Sequence, residues 1–239
     1  MENIFINFNN NKMINTIIIP GYLKRVEDYN SIIQLLNKYC NVIFFNIFEN
    51  GFNPNFSLED YSSILYDKIS NLDNIILFGH SFGGRIIFKY CTLYKNNYKL
   101  ILMDVAGIKY QSLKTIIKIK KYKLLKLFIK DNIKLLYKYS SKEYINLNSQ
   151  QRKRFNEIIN QDFKYNLKNL NNETLIIWGE YDKTTPLKIG KIIYKNIKDS
   201  GLVIIPKAKH FPHLENPFYF NIVFENYYHN LEEGVLSKL

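Results

Sequence analysis

The chain has 239 residues, 46% of them hydrophobic, two cysteines and a formal net charge of +12. That length holds one domain with a full core, and Cys40 and Cys91 form no disulfide framework. No apolar run spans a bilayer, and the opening residues lack a signal peptide's basic start and long apolar core, so the expected setting is cytoplasmic with reduced thiols.

In chain order, an early hairpin is expected over residues 3–19, turning at Asn9-Asn10-Asn11-Lys12. Its second strand, Thr16-Ile17-Ile18-Ile19, runs into Pro20-Gly21-Tyr22. A helix over Asp28–Tyr39 leads to the strand Val42-Ile43-Phe44-Phe45 and a turn-rich stretch, Glu49–Pro54. Ser57 then reads as an N-cap with Asp60 three residues on, a capping box for the next helix.

The apolar run Asn74-Ile75-Ile76-Leu77-Phe78 enters Gly79-His80-Ser81-Phe82-Gly83-Gly84, and the amphipathic run Arg85–Tyr90 follows. This is G-x-S-x-G between a buried strand and a helix, the context that makes the pattern a nucleophile elbow. A serine hydroxyl is a weak nucleophile unless a tight turn holds it toward a base and aims the next backbone N–H at the reacting carbonyl. Gly79 and Gly83 leave room for that turn.

Strand Leu100-Ile101-Leu102-Met103 ends at Asp104. Two later strands, Thr174–Gly179 and Leu202–Pro206, lead to Asp182 and to His210. Ser81, Asp182 and His210 thus follow the order serine, acid, base, each just past the carboxyl end of a predicted strand. The rival base is His213 and the rival acid is Asp104. His80 reads as a structural neighbour of the serine, and His229 as a surface residue.

Four segments resemble the α/β-hydrolase family over nearly the whole chain. They are the elbow, Trp178-Gly179-Glu180-Tyr181-Asp182-Lys183-Thr184-Thr185-Pro186, His210-Phe211-Pro212-His213-Leu214-Glu215-Asn216-Pro217, and the Thr16–Tyr22 strand end. The resemblance implies a mostly parallel β-sheet flanked by helices, with Ser81 as nucleophile, His210 as base and Asp182 as orienting acid. It also implies an oxyanion hole from the backbone N–H groups of Tyr22 and Phe82, and no metal or organic cofactor. Two positions depart from the family pattern: Pro20 stands where a histidine is usual, and Lys209 where a glycine is usual. The oxyanion donor belongs to the residue after Gly21, so Pro20 leaves it in place. Lys209 alters the His210 loop if that position needs a positive φ.

The alternation of strand and helix breaks over residues 107–170, which read as a helical cap inserted in a core of residues 1–106 and 171–239. Within 107–170 there are 14 Lys and 2 Arg against 2 Asp and 2 Glu, so the whole charge excess lies there and the remainder balances. Lys126, Lys130, Lys134 and Lys138 recur at helical spacing. The plain reading is a solvated lysine face over an apolar one, in a sequence rich in Ile, Asn and Lys. The sharper readings are an anionic membrane surface or an acidic carrier protein as partner. No binding motif accompanies the charge, which argues against nucleic acid.

The expected activity is a serine hydrolase acting on a carboxylic ester. The alternatives are carbon–carbon bond hydrolysis of a vinylogous diketone, hydrolysis of a carrier-linked ester, and a ligand-binding module on the same fold.

Overall fold

The computed structural model describes residues 4–110, 117 and 142–232. Its strands are β1 (Phe5–Phe8), β2 (Asn15–Ile19), β3 (Asn41–Phe45), β4 (Ile75–His80), β5 (Lys99–Met103), β6 (Thr174–Gly179) and β7 (Ser200–Ile205). They form one sheet in the order β1-β3-β2-β4-β5-β6-β7, with every neighbouring pair parallel except β1 and β3.

Strands covered on both faces need apolar residues at every position, and that accounts for the unbroken runs in β2, β4 and β6. Successive residues go to opposite layers. Ile17, Ile19, Leu77, Leu102 and Trp178 pack on one side with helices α2 (Leu58–Ile69) and α3 (Phe82–Leu93). Ile18, Ile76, Phe78, Ile101 and Ile177 pack on the other against α1 (Asn30–Leu36) and the Phe220, Phe224 and Tyr228 rings near the end of the described chain. The Ser57 capping box forms as the sequence predicts: Ser57 Oγ accepts from the Asp60 N–H, and the Asp60 carboxylate accepts from the Ser57 N–H.

Two expectations are corrected. Residues 3–19 make no hairpin, because β3 lies between β1 and β2 and pairs with both. Alternation marks β1 as a strand but does not choose its partner. Fully buried β2 needs strands on both edges, and β3 and β4 fill them, which sends β1 outside. The helix expected over Asp28–Tyr39 begins instead as a 3₁₀ turn at Val26–Tyr29 and ends at Leu36.

The described part of the segment after β5 contains helices α4 (Lys142–Ile145) and α5 (Ser149–Ile159) and a 3₁₀ turn at Leu167–Asn169. Arg85 on α3 ties this segment to the sheet, donating to the carbonyls of Ile158 and Gln161. Arg154 and Gln151 on α5 donate to the carbonyls of Pro54 and Phe52. Lys126, Lys130, Lys134 and Lys138 lie outside the described residues. After Pro186, helix α6 (Leu187–Asn196) crosses back to β7. The short α7 (Pro212–Glu215) and the long α8 (Pro217–Glu232) follow. Among the described residues, no helix is long and apolar enough to cross a membrane.

Candidate active site

Ser81 joins β4 to α3 with φ 50° and ψ −110°, a left-handed conformation that costs a non-glycine residue on the order of 1–3 kcal/mol. The surroundings over-determine it. The Ser81 N–H donates to Met103, and the Ser81 carbonyl accepts from Gly84 and Ala106. At Gly83 a Cβ would overlap the Ile19 carbonyl oxygen, so only glycine lets α3 approach the end of β2 this closely.

His210 brings the three predicted residues into one chain of hydrogen bonds. Its Nε2 lies 2.9 Å from Ser81 Oγ and its Nδ1 lies 2.7 Å from Asp182 Oδ2. An ionised carboxylate only accepts, so Nδ1 carries the proton and Nε2 offers its lone pair to the serine hydroxyl. Asp182 Oδ1 accepts from the N–H groups of Thr184 and Thr185, and Thr185 Oγ1 lies 2.6 Å from Oδ2. Burial works against ionisation of Asp182, but the His210 and Thr185 donors outweigh it and hold the acid below its ordinary range. Thr185 was inside the sequence motif without a role. Its place in a T-P pair after the acid was the available signal.

The rival residues lie elsewhere. His213 is buried, and its Nε2 contacts the Asp28 carbonyl at 3.2 Å. Asp104 is buried behind Asp182 and accepts from the Gly179 N–H at 2.9 Å. Its second oxygen is buried with no hydrogen-bond partner among the described residues. Burial first, and the nearby Asp182 charge, raise Asp104 well above its ordinary range. The sign follows. Below about pH 4 folded and unfolded forms are both protonated. Above that the unfolded form ionises while the folded form resists, and stability falls as pH rises toward the folded value. Asp104→Asn keeps an acceptor for the Gly179 N–H and has no charge to bury, so it removes this loss. It is expected to raise Tm at pH 8 by roughly 3 to 8 °C, a gain that vanishes near pH 4 in thermal melts.

Asp104, Asp182 and His210 each offer one ligand atom within 4.8 Å of the others. Both His210 nitrogens and the Asp182 carboxylate are already engaged with protein groups, so the cluster is built as a hydrogen-bond relay.

Phe82 opens α3, so its N–H is one of the helix's unsatisfied first donors and sits at the positive end of the dipole. The Pro20–Tyr22 turn lies against the elbow, where a Cβ on Gly21 would come within 3.4 Å of Ser81 Cβ. The Tyr22 ring packs with Phe48, Phe52, Phe82 and Phe155 at centroid distances of 4.7 to 6.0 Å, an apolar wall on that side. A cavity of about 760 Å³ opens between the Asp182 and His210 loops, lined also by Lys183, Lys209 and Phe211. Positive φ falls at Lys207 (60°) and not at Lys209, so the lysine fits the base loop without strain.

A seven-stranded sheet of this order, with a serine elbow after β4, is the α/β-hydrolase fold, and the chain has that fold. It is similar to an α/β hydrolase enzyme from the metagenome of sediments of the Mar Chica lagoon, Morocco. The identity is 17%, with 97% of this chain and 98% of that chain covered at a TM-score of 0.71. A bromoperoxidase from Bacillus anthracis matches at 17% identity and TM-score 0.70, covering 93% and 94% of the two chains. A meta-cleavage product hydrolase from Pseudomonas fluorescens IP01 matches at 18% and 0.67, covering 95% and 94%. No family model matches the sequence, and no curated protein matches it.

Proposed function

We propose that the protein is a serine hydrolase that cleaves a carboxylic ester. The observation that carries this reading is the unbroken relay Ser81–His210–Asp182 on a strained elbow. His210 Nε2 takes the Ser81 proton as Oγ attacks the carbonyl, and Asp182 stabilises the imidazolium that forms. The tetrahedral oxyanion forms against the N–H groups of Phe82 and Tyr22, and the dipole of α3 adds to its stabilisation. His210 then gives its proton to the leaving alcohol, and the acyl group stays on Ser81. In the second half, water gives a proton to His210 and attacks the acyl carbonyl, and His210 returns that proton to Ser81 Oγ as the acyl–oxygen bond breaks and the acid leaves. No step calls for a metal or organic cofactor. The described part of residues 107–170 contributes to a cap in this reading, with Phe155 of α5 packing on the Tyr22 ring.

The test is hydrolysis of p-nitrophenyl esters from acetate to palmitate, with fluorophosphonate labelling alongside. Turnover with label on Ser81 supports the proposal. Labelling without turnover on any ester moves the substrate to another class, such as a vinylogous diketone. Neither signal from folded protein overturns the reading and leaves a binding module.

A further inference from the structure

Behind the elbow lies a second buried chain of polar contacts that the mechanism above does not use. The Gly21 N–H donates to Tyr29 Oη at 2.8 Å, Tyr29 Oη lies 2.7 Å from His80 Nδ1, and His80 Nε2 lies 2.9 Å from the His210 carbonyl oxygen. His80 is fully buried and Tyr29 is 1% exposed. The His210 carbonyl can only accept, so His80 Nε2 carries a proton. Among the described residues no carboxylate bonds to His80, and an unpaired buried imidazolium is costly, so Nδ1 is a bare acceptor. The Tyr29 hydroxyl, already accepting from Gly21, then points its hydrogen at Nδ1. One assignment satisfies every donor and acceptor, and it reads in one direction from Gly21 to His210.

The two ends of this chain are the turn that precedes Tyr22 and the backbone of the base itself. We infer that Tyr29 and His80 are positioning residues, a relay that fixes the Gly21–Tyr22 turn and the His210 loop in register across Ser81. His80 acts in it as the neutral Nε2–H tautomer. The inference rests on the reading of Ser81 and His210 as nucleophile and base. Neither residue touches the reacting atoms. They set the separation between the oxyanion donors on one side of the serine and the imidazole on the other, where small displacements cost large factors in rate. Stacking of the His213 ring on Tyr29, at 5.9 Å and 11°, holds the phenol in plane.

The first test needs no substrate. In the ¹⁵N-edited ring spectrum of the wild type, His80 is expected as the Nε2–H tautomer; an Nδ1–H tautomer or a charged ring overturns the relay. The second uses Tyr29→Phe, which strips the Gly21 N–H and His80 Nδ1 of their partner. On the best ester its kcat is expected to fall about 10- to 100-fold with KM within about twofold. His80→Leu is expected to behave alike, while His80→Gln, whose amide can still donate to the His210 carbonyl, recovers most of the rate. Unchanged kcat in Tyr29→Phe, or equal losses in His80→Gln and His80→Leu, overturns the inference. A wild type that neither turns over esters nor takes the fluorophosphonate label fails the functional reading instead, and the tautomer measurement still stands by itself.

Discussion

Ser81→Ala is expected to lower kcat on an activated ester by about 10⁶-fold, and adding His210→Ala to it is expected to lower kcat no further. The reason is geometric. His210 Nε2 reaches only one partner on the reaction path, the Ser81 hydroxyl at 2.9 Å, and without that hydroxyl it has no proton to move. The pair therefore works as a unit, and the second removal is silent. A residual rate of about 10³ over water remains if Phe82 and Tyr22 still polarise a bound carbonyl. The measurement is steady-state kinetics of the two single variants and the double variant. Losses that multiply between Ser81 and His210 contradict the assignment of nucleophile and base. So does a Ser81→Ala protein that keeps more than a hundredth of the rate.

Gly179→Ala is expected to cost the fold about 3 kcal/mol or more, a large loss for one methyl group. Gly179 ends β6, and a Cβ there would overlap the Lys209 carbonyl oxygen and come within 2.9 Å of that of Ala208. Those are backbone atoms of the loop that carries His210. That loop is pinned further by the Lys209 N–H bond to the Glu215 carboxylate and the Tyr181 N–H bond to the Ala208 carbonyl. The methyl group can be housed only by moving the base away from Ser81. Gly51→Ala is the control, since Gly51 has a positive φ of 81° but open space around it, and it should lose only roughly 1 kcal/mol. Urea melts of both variants with fluorophosphonate labelling check the pair. A Gly179→Ala protein as stable and as reactive as wild type contradicts the argument.

Much of the site was legible in the sequence because its signals are local. Gly79–Gly84 lies between a buried strand and a helix within twenty residues, and Asp182 and His210 each lie just past an apolar run that reads as a strand. The Ser57–Asp60 box is a four-residue device, so it too could be read directly. What could not be read depends on neighbours distant along the chain. The alternation in Phe5–Phe8 holds no information that its partner is Val42–Phe45. The motif singles out Asp182 over Asp104, but how Asp104 sits behind it follows only from the adjacency of β5 and β6. Tyr29 gave no signal at all. It reaches His80 from 51 positions away, out of a 3₁₀ turn that overlaps the start of the longer helix expected from periodicity.

The parallel sheet also governs when the site can exist. Ser81 and His210 are 129 positions apart, and β2 finds its second neighbour only when Ile75–His80 has been made. At ribosomal speed roughly ten seconds separate the serine from its base. For that interval the nascent chain carries an elbow with nothing to activate it, and β5 keeps an open edge that waits for β6. Reactivity therefore arrives late in synthesis and all at once, with the closing of the last strands. Folding dominated by such distant pairings is slow, and the growing chain stands to gain from a chaperone well before it can touch a substrate.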